Sequence, residues 1–184
     1  MYRTGTYVAF DGLGSLNPTK SDYKYYTTLQ GWKNNTNIDF TFTNSHEKTY
    51  AVLDTSKRET LYARIRQRLS ASKNMLVILS NDTRYTGSVL SYEIEQAVDV
   101  FKIPLIIAYP GYSYILNVDS HSSVWPKALR DRIDGRMIEA IHIPFKKQPI
   151  LAAINQFGVN GEHLESGKMY YTRETYIGWG VAID

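Results

Sequence analysis

Residues Met75 to Tyr109 read MLVILSNDTRYTGSVLSYEIEQAVDVFKIPLIIAY, and the succession of patterns inside that stretch decides the fold. MLVIL, Met75 to Leu79, is continuously apolar and strand-sized, as expected of a central parallel strand covered by helices on both faces. The polar turn Ser80-Asn81-Asp82-Thr83 follows, then a helical pattern from about Ser88 to Phe101. IPLIIAY, Ile103 to Tyr109, is a second buried strand, stopped by Pro110-Gly111. Strand, helix and strand in this order form a parallel pair joined by a right-handed crossover.

The pattern extends outward in both directions. TYVAF, Thr6 to Phe10, is a first strand that leaves through Asp11-Gly12-Leu13-Gly14, and Asp22 to Trp32 is a tyrosine-rich helix. Ile38 to Phe42 alternates with period two as a second strand, followed by a loop from Thr43 to Thr55. Ser56-x-x-Glu59 fits a capping box opening a helix whose Leu61, Ile65 and Leu69 share one face, with Arg64, Arg66 and Arg68 on the solvated side. Beyond Tyr109, Trp125-Pro126 leads into a short helix to Ile133, Ile138 to Phe145 is a further strand, and Pro149 suits the first position of a helix ending near Phe157. The expected architecture is therefore α/β, a three-layer doubly wound domain around a five-stranded parallel sheet. Residues 1–158 hold this domain. The tail, 159–184, does not continue the alternation, and its β-prone Met169 to Tyr176 predicts a C-terminal extension packed on the domain and carrying a hairpin.

Composition narrows the function classes. The 184 residues are of one-domain size, and 21 Lys and Arg against 18 Asp and Glu give a net charge of only +3, with the basic residues scattered, not gathered into a stripe. That argues against nucleic acid as a partner. There is no cysteine, hence no disulfide framework, and the N-terminus lacks a secretory pattern, so a cytoplasmic location is expected. No apolar run approaches the roughly 20 residues that span a bilayer, so no membrane is expected as a partner. Asn34 and Asn81 begin sequons that read as polar loop residues. His46, His121, His142 and His163 have no metal-ligand spacing, so no metal is implied, and His142, inside an apolar strand pattern, reads as a satisfied core histidine. Neither Gly-x-Ser-x-Gly nor a thiol is present to anchor a nucleophilic hydrolase.

Open parallel sheets bind ligands outside the carboxyl ends of their strands, which selects the loops Phe10 to Lys20, Thr43 to Thr49, Ser80 to Gly87 and Tyr109 to Tyr114. Gly12 and Gly14 begin a dinucleotide fingerprint, but Asn17 stands where the third glycine belongs, so a flexible turn is the better reading. Glu93 is more informative. With Leu90 at zero and about 100° per residue, Ile94, Ala97, Val98 and Phe101 fall between roughly −20° and +80°, and Val89 and Val100 near −100° and −80°. Glu93 falls near −60°, within this apolar sector, whereas Glu95 and Asp99 project to the opposite side. A carboxylate turned toward the sheet must be paired, protonated or facing a cleft. Geometry alone leaves two readings open: a functional carboxylate at the cleft, or a pair with a basic side chain at the helix edge.

The segment from Ile65 to Pro110 also resembles the TIR-like family of the Thoeris antiviral defence system. The resemblance rests on a helix ending in Ser70 to Ser72, a hydrophobic strand running into Ser80 and Thr83, and a following helix that carries Tyr92-Glu93-Ile94. It covers about residues 5–157, more loosely at Tyr7 to Asp11, and is absent from the tail. It implies a flavodoxin-like TIR fold and consumption of NAD as substrate, with no separate cofactor and with Glu93 at the catalytic position. Family members often carry Trp four residues before that glutamate; here Val89 stands there, so one wall of the pocket departs from the pattern.

Within that reading, Glu93 stabilises the cation that develops as nicotinamide leaves. Phe10 is expected to stack on a base or on nicotinamide, Asp11 and Ser45 to bind ribose or the amide, and Ser80 and Thr83 to contact phosphate or ribose. Water as acceptor gives ADP-ribose; an internal or second nucleophile gives a cyclic or conjugated nucleotide. The Thoeris resemblance implies the second outcome, with a signal that activates a separate effector protein, self-association with other TIR subunits, and a phage-derived trigger. The alternatives are a non-catalytic TIR-like scaffold and an enzyme resembling nucleoside deoxyribosyltransferases.

Overall fold

The computed structural model describes residues 2–14, 17, 19, 21–34 and 58–183. Five strands, β1 (Gly5–Phe10), β2 (Ser72–Ile78), β3 (Leu105–Tyr109), β4 (Ala140–Pro144) and β5 (Met169–Tyr170), form one sheet in that order, with every pairing parallel. The helices are α1 (Tyr23–Lys33), α2 (Arg58–Ala71), α3 (Val89–Glu95), α4 (Lys127–Asp134), α5 (Lys147–Gln156) and α6 (Arg173–Gly178). A π-helical stretch, Gln96–Val100, prolongs α3, and a 3-10 helix, Asp119–Val124, precedes α4.

The pleat sorts the strands' side chains between two cores. Val8, Leu76, Ile106 and Ile141 are register partners across the sheet, and all four are buried with Tyr26 and Leu29 of α1 and with Ile150, Ala153 and Ile154 of α5. Their neighbours Ala9, Val77 and Ile107 point the other way, against Ile65 of α2, Leu90 and Ile94 of α3 and Leu129 of α4. With both faces covered, the strands must be apolar throughout, and this explains why MLVIL and IPLIIAY show no alternation. The architecture is α/β, an all-parallel sheet between helical layers, consistent with a flavodoxin-like TIR fold.

Several boundaries differ from expectation. The strand at Ile38 to Phe42 and the Ser56 half of the capping box lie outside the described residues. β2 begins at Ser72, ahead of its apolar run, because buried Asn74 is held there: Thr6 donates to its Oδ1 at 2.7 Å, and its Nδ2 donates to the carbonyls of Ile154 at 3.1 Å and Phe157 at 2.6 Å. Pro149 is the third residue of α5, not the first, still within the turn whose N–H groups have no partner inside the helix.

The tail requires a larger correction. It forms no hairpin among residues 159–183; Met169–Tyr170 pairs parallel with Ile141 and His142 and supplies the fifth described strand, and α6 follows. Thr172 caps that helix by accepting from the Thr175 N–H, and Tyr171, Tyr176 and Trp179 meet edge to face. Aromatic content that reads as β-prone is here a packing cluster, with Tyr176 wholly buried. His142 secures the tail from inside: its Nδ1 lies 2.7 Å from the Tyr109 hydroxyl and its Nε2 2.9 Å from the Gly167 carbonyl. Both ring nitrogens are therefore satisfied. Burial holds the imidazole down to about 4, neutral at any ordinary pH.

Candidate functional site

Glu93 sits in α3 and is 3 % exposed, facing the sheet. The Tyr7 hydroxyl of β1 donates to its Oε1 at 2.5 Å. Burial is the main influence on the carboxyl and raises it to about 7; the Tyr7 hydrogen bond opposes this, the nearby negative charge of Asp11 adds to it, and Arg68 draws it back a little. A carboxyl poised at neutrality, in the helix that follows the loop after β2, has a proton affinity suited to acid or base chemistry at ordinary pH.

This shift has a consequence for stability. Raised above its unfolded value, the group binds its proton more tightly in the folded state, so its contribution is complete below about 4.5 and declines as pH rises through about 7. Ionising Glu93 costs the fold something on the order of 3 kcal/mol. The neutral Glu93→Gln variant should therefore melt several degrees above wild type at pH 8.5, with the gap closing toward pH 4.5. Melting curves at the two pH values check this; equal melting temperatures at pH 8.5 would show that ionised Glu93 is not destabilised.

Asp11 acts on the charge of Glu93, and on that of Asp22 in turn. Asp11, just past β1, is 2 % exposed and fully engaged: Arg84 Nε reaches Oδ2 and Nη2 reaches Oδ1, both at 2.8 Å, and the backbone N–H groups of Arg84 and Leu13 donate at 3.0 and 3.1 Å. Burial opposes its charge, but the Arg84 and backbone hydrogen bonds win and hold it below the usual carboxylate range. Asp22, at the N-terminus of α1, is wholly buried and accepts from the Ser80 hydroxyl at 2.5 Å and from the Thr83 hydroxyl at 3.2 Å. Burial dominates there and pushes Asp22 up to about 6. The loop after β2 is thus fastened to the loop after β1 and to the start of α1.

These contacts place the residues singled out from the sequence. Ser80 and Thr83 come together, but their hydroxyls point at Asp22. Asp11 is close enough to Glu93 to act on its charge, yet its oxygens are taken by Arg84 and backbone. Phe10 is 3 % exposed, with its ring centroid 5.4 Å from that of Tyr26 and 6.0 Å from that of Tyr23, in the core on the opposite side of the sheet from Ala9 and Glu93. A strand-end aromatic obeys the pleat, and the pleat turns this one inward, leaving no free face for stacking. Val89 and Val100 are 37 % and 56 % exposed, so the apolar sector of α3 is narrower on that side than the wheel suggests. Ser45 lies outside the described residues. Among the described residues no group of three or more His, Asp or Glu side chains is arranged to hold a metal, and no helix is long and apolar enough to cross a membrane.

Three residues escape sequence reasoning: Tyr7, Arg84 and Asp22. Their partners lie 86, 73 and 58 positions away, and no local periodicity signals them.

With a carboxyl on the helix after β2, facing β1, the comparison with known families is decisive. Residues 7–115 match the model of the Thoeris protein ThsB, TIR-like domain. The chain belongs to that family. The match takes in β1, α1, α2, β2, α3 and β3, and with them Tyr7, Asp11, Asp22, Arg84 and Glu93. It ends at Ile115, so the Thoeris TIR-like region leaves α4, β4, α5 and the tail beyond its edge. This family places the protein in antiphage defence.

Proposed function

We propose that this Thoeris TIR-like protein cleaves the nicotinamide-ribose bond of NAD and turns the ADP-ribosyl group into a cyclic or conjugated nucleotide signal for a separate effector. The observation that carries the proposal is Glu93, a buried carboxyl raised to about 7 by burial against the opposing hydrogen bond from Tyr7. Nicotinamide leaves readily because departure relieves the pyridinium charge, and an oxocarbenium-like ribose remains. An ionised carboxylate stabilises that cation where it forms, and a water-poor setting strengthens the effect. The substrate assists: its own positive charge favours the carboxylate form of Glu93. Tyr7 keeps the reacting carboxyl in one orientation.

Asp11 and Arg84 serve in this reading as the brace of the β1 exit, and Ser80 and Thr83 meet the ribose or phosphate only by exchanging their bonds to Asp22. Val89 in place of a tryptophan leaves a lower wall one turn before Glu93. Space of that kind suits an acceptor other than water, either the folded-back adenine or a second small molecule.

Glu93 is closed to solvent in this state, so turnover requires the site to open or a neighbouring subunit to reshape it. Activity per molecule should therefore rise with protein concentration or with an infection-derived trigger; a fast rate strictly linear in dilute enzyme would contradict that. Incubation with NAD and mass resolution of the nucleotides tests the function. The proposal expects nicotinamide together with a cyclised or conjugated ADP-ribose as the major product, and ADP-ribose alone, with or without cell extract, would mean plain hydrolysis.

A further inference from the structure

Outside the Glu93 cluster, a cavity of about 560 Å³ opens at the carboxyl ends of β2 and β3. That is within the usual range for small-molecule sites, roughly 300 to 1,000 Å³. One wall is aromatic: Tyr109, Tyr112 and His121. The His121 ring stacks on Tyr109 at 4.6 Å between centroids and meets the edge of Tyr112 at 4.5 Å. The facing wall brings Lys24 and Tyr25 of α1, and the loop after β2 adds Asn81 and Asp82.

His121 makes this more than a hollow. Its residue is 9 % exposed, and its imidazole has no hydrogen-bond partner among the described residues. Every enclosed side-chain nitrogen or oxygen among those residues does have a partner, so the free ring nitrogens are not enclosed, and the residue lines the cavity. Burial holds the ring below its usual range, which keeps it neutral, with one nitrogen to donate and one to accept.

The rim charges narrow the ligand class. Lys24 Nζ and the Asp82 carboxylate lie 3.9 Å apart and offset one another, so the mouth carries no net charge to hold a polyanion. An aromatic wall suits a planar base, a neutral imidazole with a free donor and acceptor suits a heterocycle's edge, and a carboxylate beside a carboxamide and hydroxyls suits a ribose diol. We propose that the cavity formed by Tyr109, Tyr112, His121, Lys24 and Asp82 is a nucleoside-binding site separate from Glu93, which takes a planar nitrogen base against the exposed Tyr112 ring and the ribose hydroxyls at Asp82. Glu93 does not line it, but Ser80, which the NAD reading sets against ribose or phosphate, does, so the cavity borders the proposed NAD site and Glu93→Gln tells the two apart.

Titration of the full chain with adenosine tests the site, with calorimetry for affinity and the His121 ring signals in NMR for location. Tyr112 is 47 % exposed and Asp82 lies on an exposed loop, so Tyr112→Ala and Asp82→Asn leave the core intact. Adenosine should bind and shift the His121 signals, and Tyr112→Ala should weaken binding about tenfold, as loss of a base-stacking ring does. 2′,3′-Dideoxyadenosine should bind wild type more weakly than adenosine does, and that difference should vanish in Asp82→Asn. Glu93→Gln should bind as wild type. No binding at millimolar adenosine, binding untouched by Tyr112→Ala, or binding lost only in Glu93→Gln would each overturn the assignment.

Discussion

Glu93→Gln should abolish nearly all NAD turnover while leaving the fold intact and, above neutral pH, more stable. The amide is isosteric and still accepts the Tyr7 hydroxyl, so the packing beneath α3 is kept; what is lost is the negative charge facing the developing oxocarbenium ion. Participation by one positioned carboxylate is worth about 10²- to 10⁴-fold. Glu95→Gln is the comparison. Glu95 belongs to the same helix but is only partly buried and is not aimed at β1 as Glu93 is, so its variant should keep near wild-type rate. Wild-type kcat/KM should rise with pH through about 7, as the free protein's Glu93 ionises. Equal loss in both variants would point to damage to α3 and not to chemistry at Glu93.

Removing Arg84 should give the largest stability loss among these substitutions. In Arg84→Met the Asp11 carboxylate, 2 % exposed, keeps two backbone donors but loses both guanidinium bonds and the opposing charge. Breaking a buried pair typically costs 3 to 5 kcal/mol; because the Arg84 side chain is 46 % exposed and water recovers part of the loss, about 2 to 3 kcal/mol is expected. The sign with pH is opposite to that of Glu93. Asp11 is held below its unfolded value, so the pair's contribution is present above about 4 and disappears as pH falls through the native carboxylate range. Urea unfolding of Arg84→Met, Asp11→Asn and the double variant at pH 7 and pH 3 measures the coupling. A coupling under about 0.5 kcal/mol at pH 7 would reduce the pair to an ordinary surface contact.

The sequence makes the layers of this fold legible because burial on two faces forces continuous apolar strands, and MLVIL and IPLIIAY are short enough to be nothing else. It also reveals Glu93, since a charge inside an apolar helical stripe stands out against Leu90, Ile94 and Ala97. The same wheel misplaces Val89 and Val100: periodicity reports an angle but not how wide a face the sheet covers. The polar lattice around the site is less legible. Tyr7 reads as one more residue of a β-prone strand, Arg84 as a loop charge and Asp22 as a helix start; their roles follow from pairings across the sheet that carry no local signature. The side taken by Phe10 is hidden for a related reason, since the parity of a strand's final residue, and not its proximity to the carboxyl end, decides which core it enters. In the tail, Tyr170, Tyr171 and Tyr176 supply β-prone character, but Thr172 and its capping bond set a helix, and the β5 pairing rests on only two residues.

The most direct test of the account is nicotinamide release from NAD by the purified chain at high protein concentration, followed by chromatography, with Glu93→Gln in parallel. The account predicts release that grows with wild-type protein and falls at least about 10²-fold in the variant. No release from wild type at any concentration or with extract of infected cells, or equal release from both proteins, would contradict it.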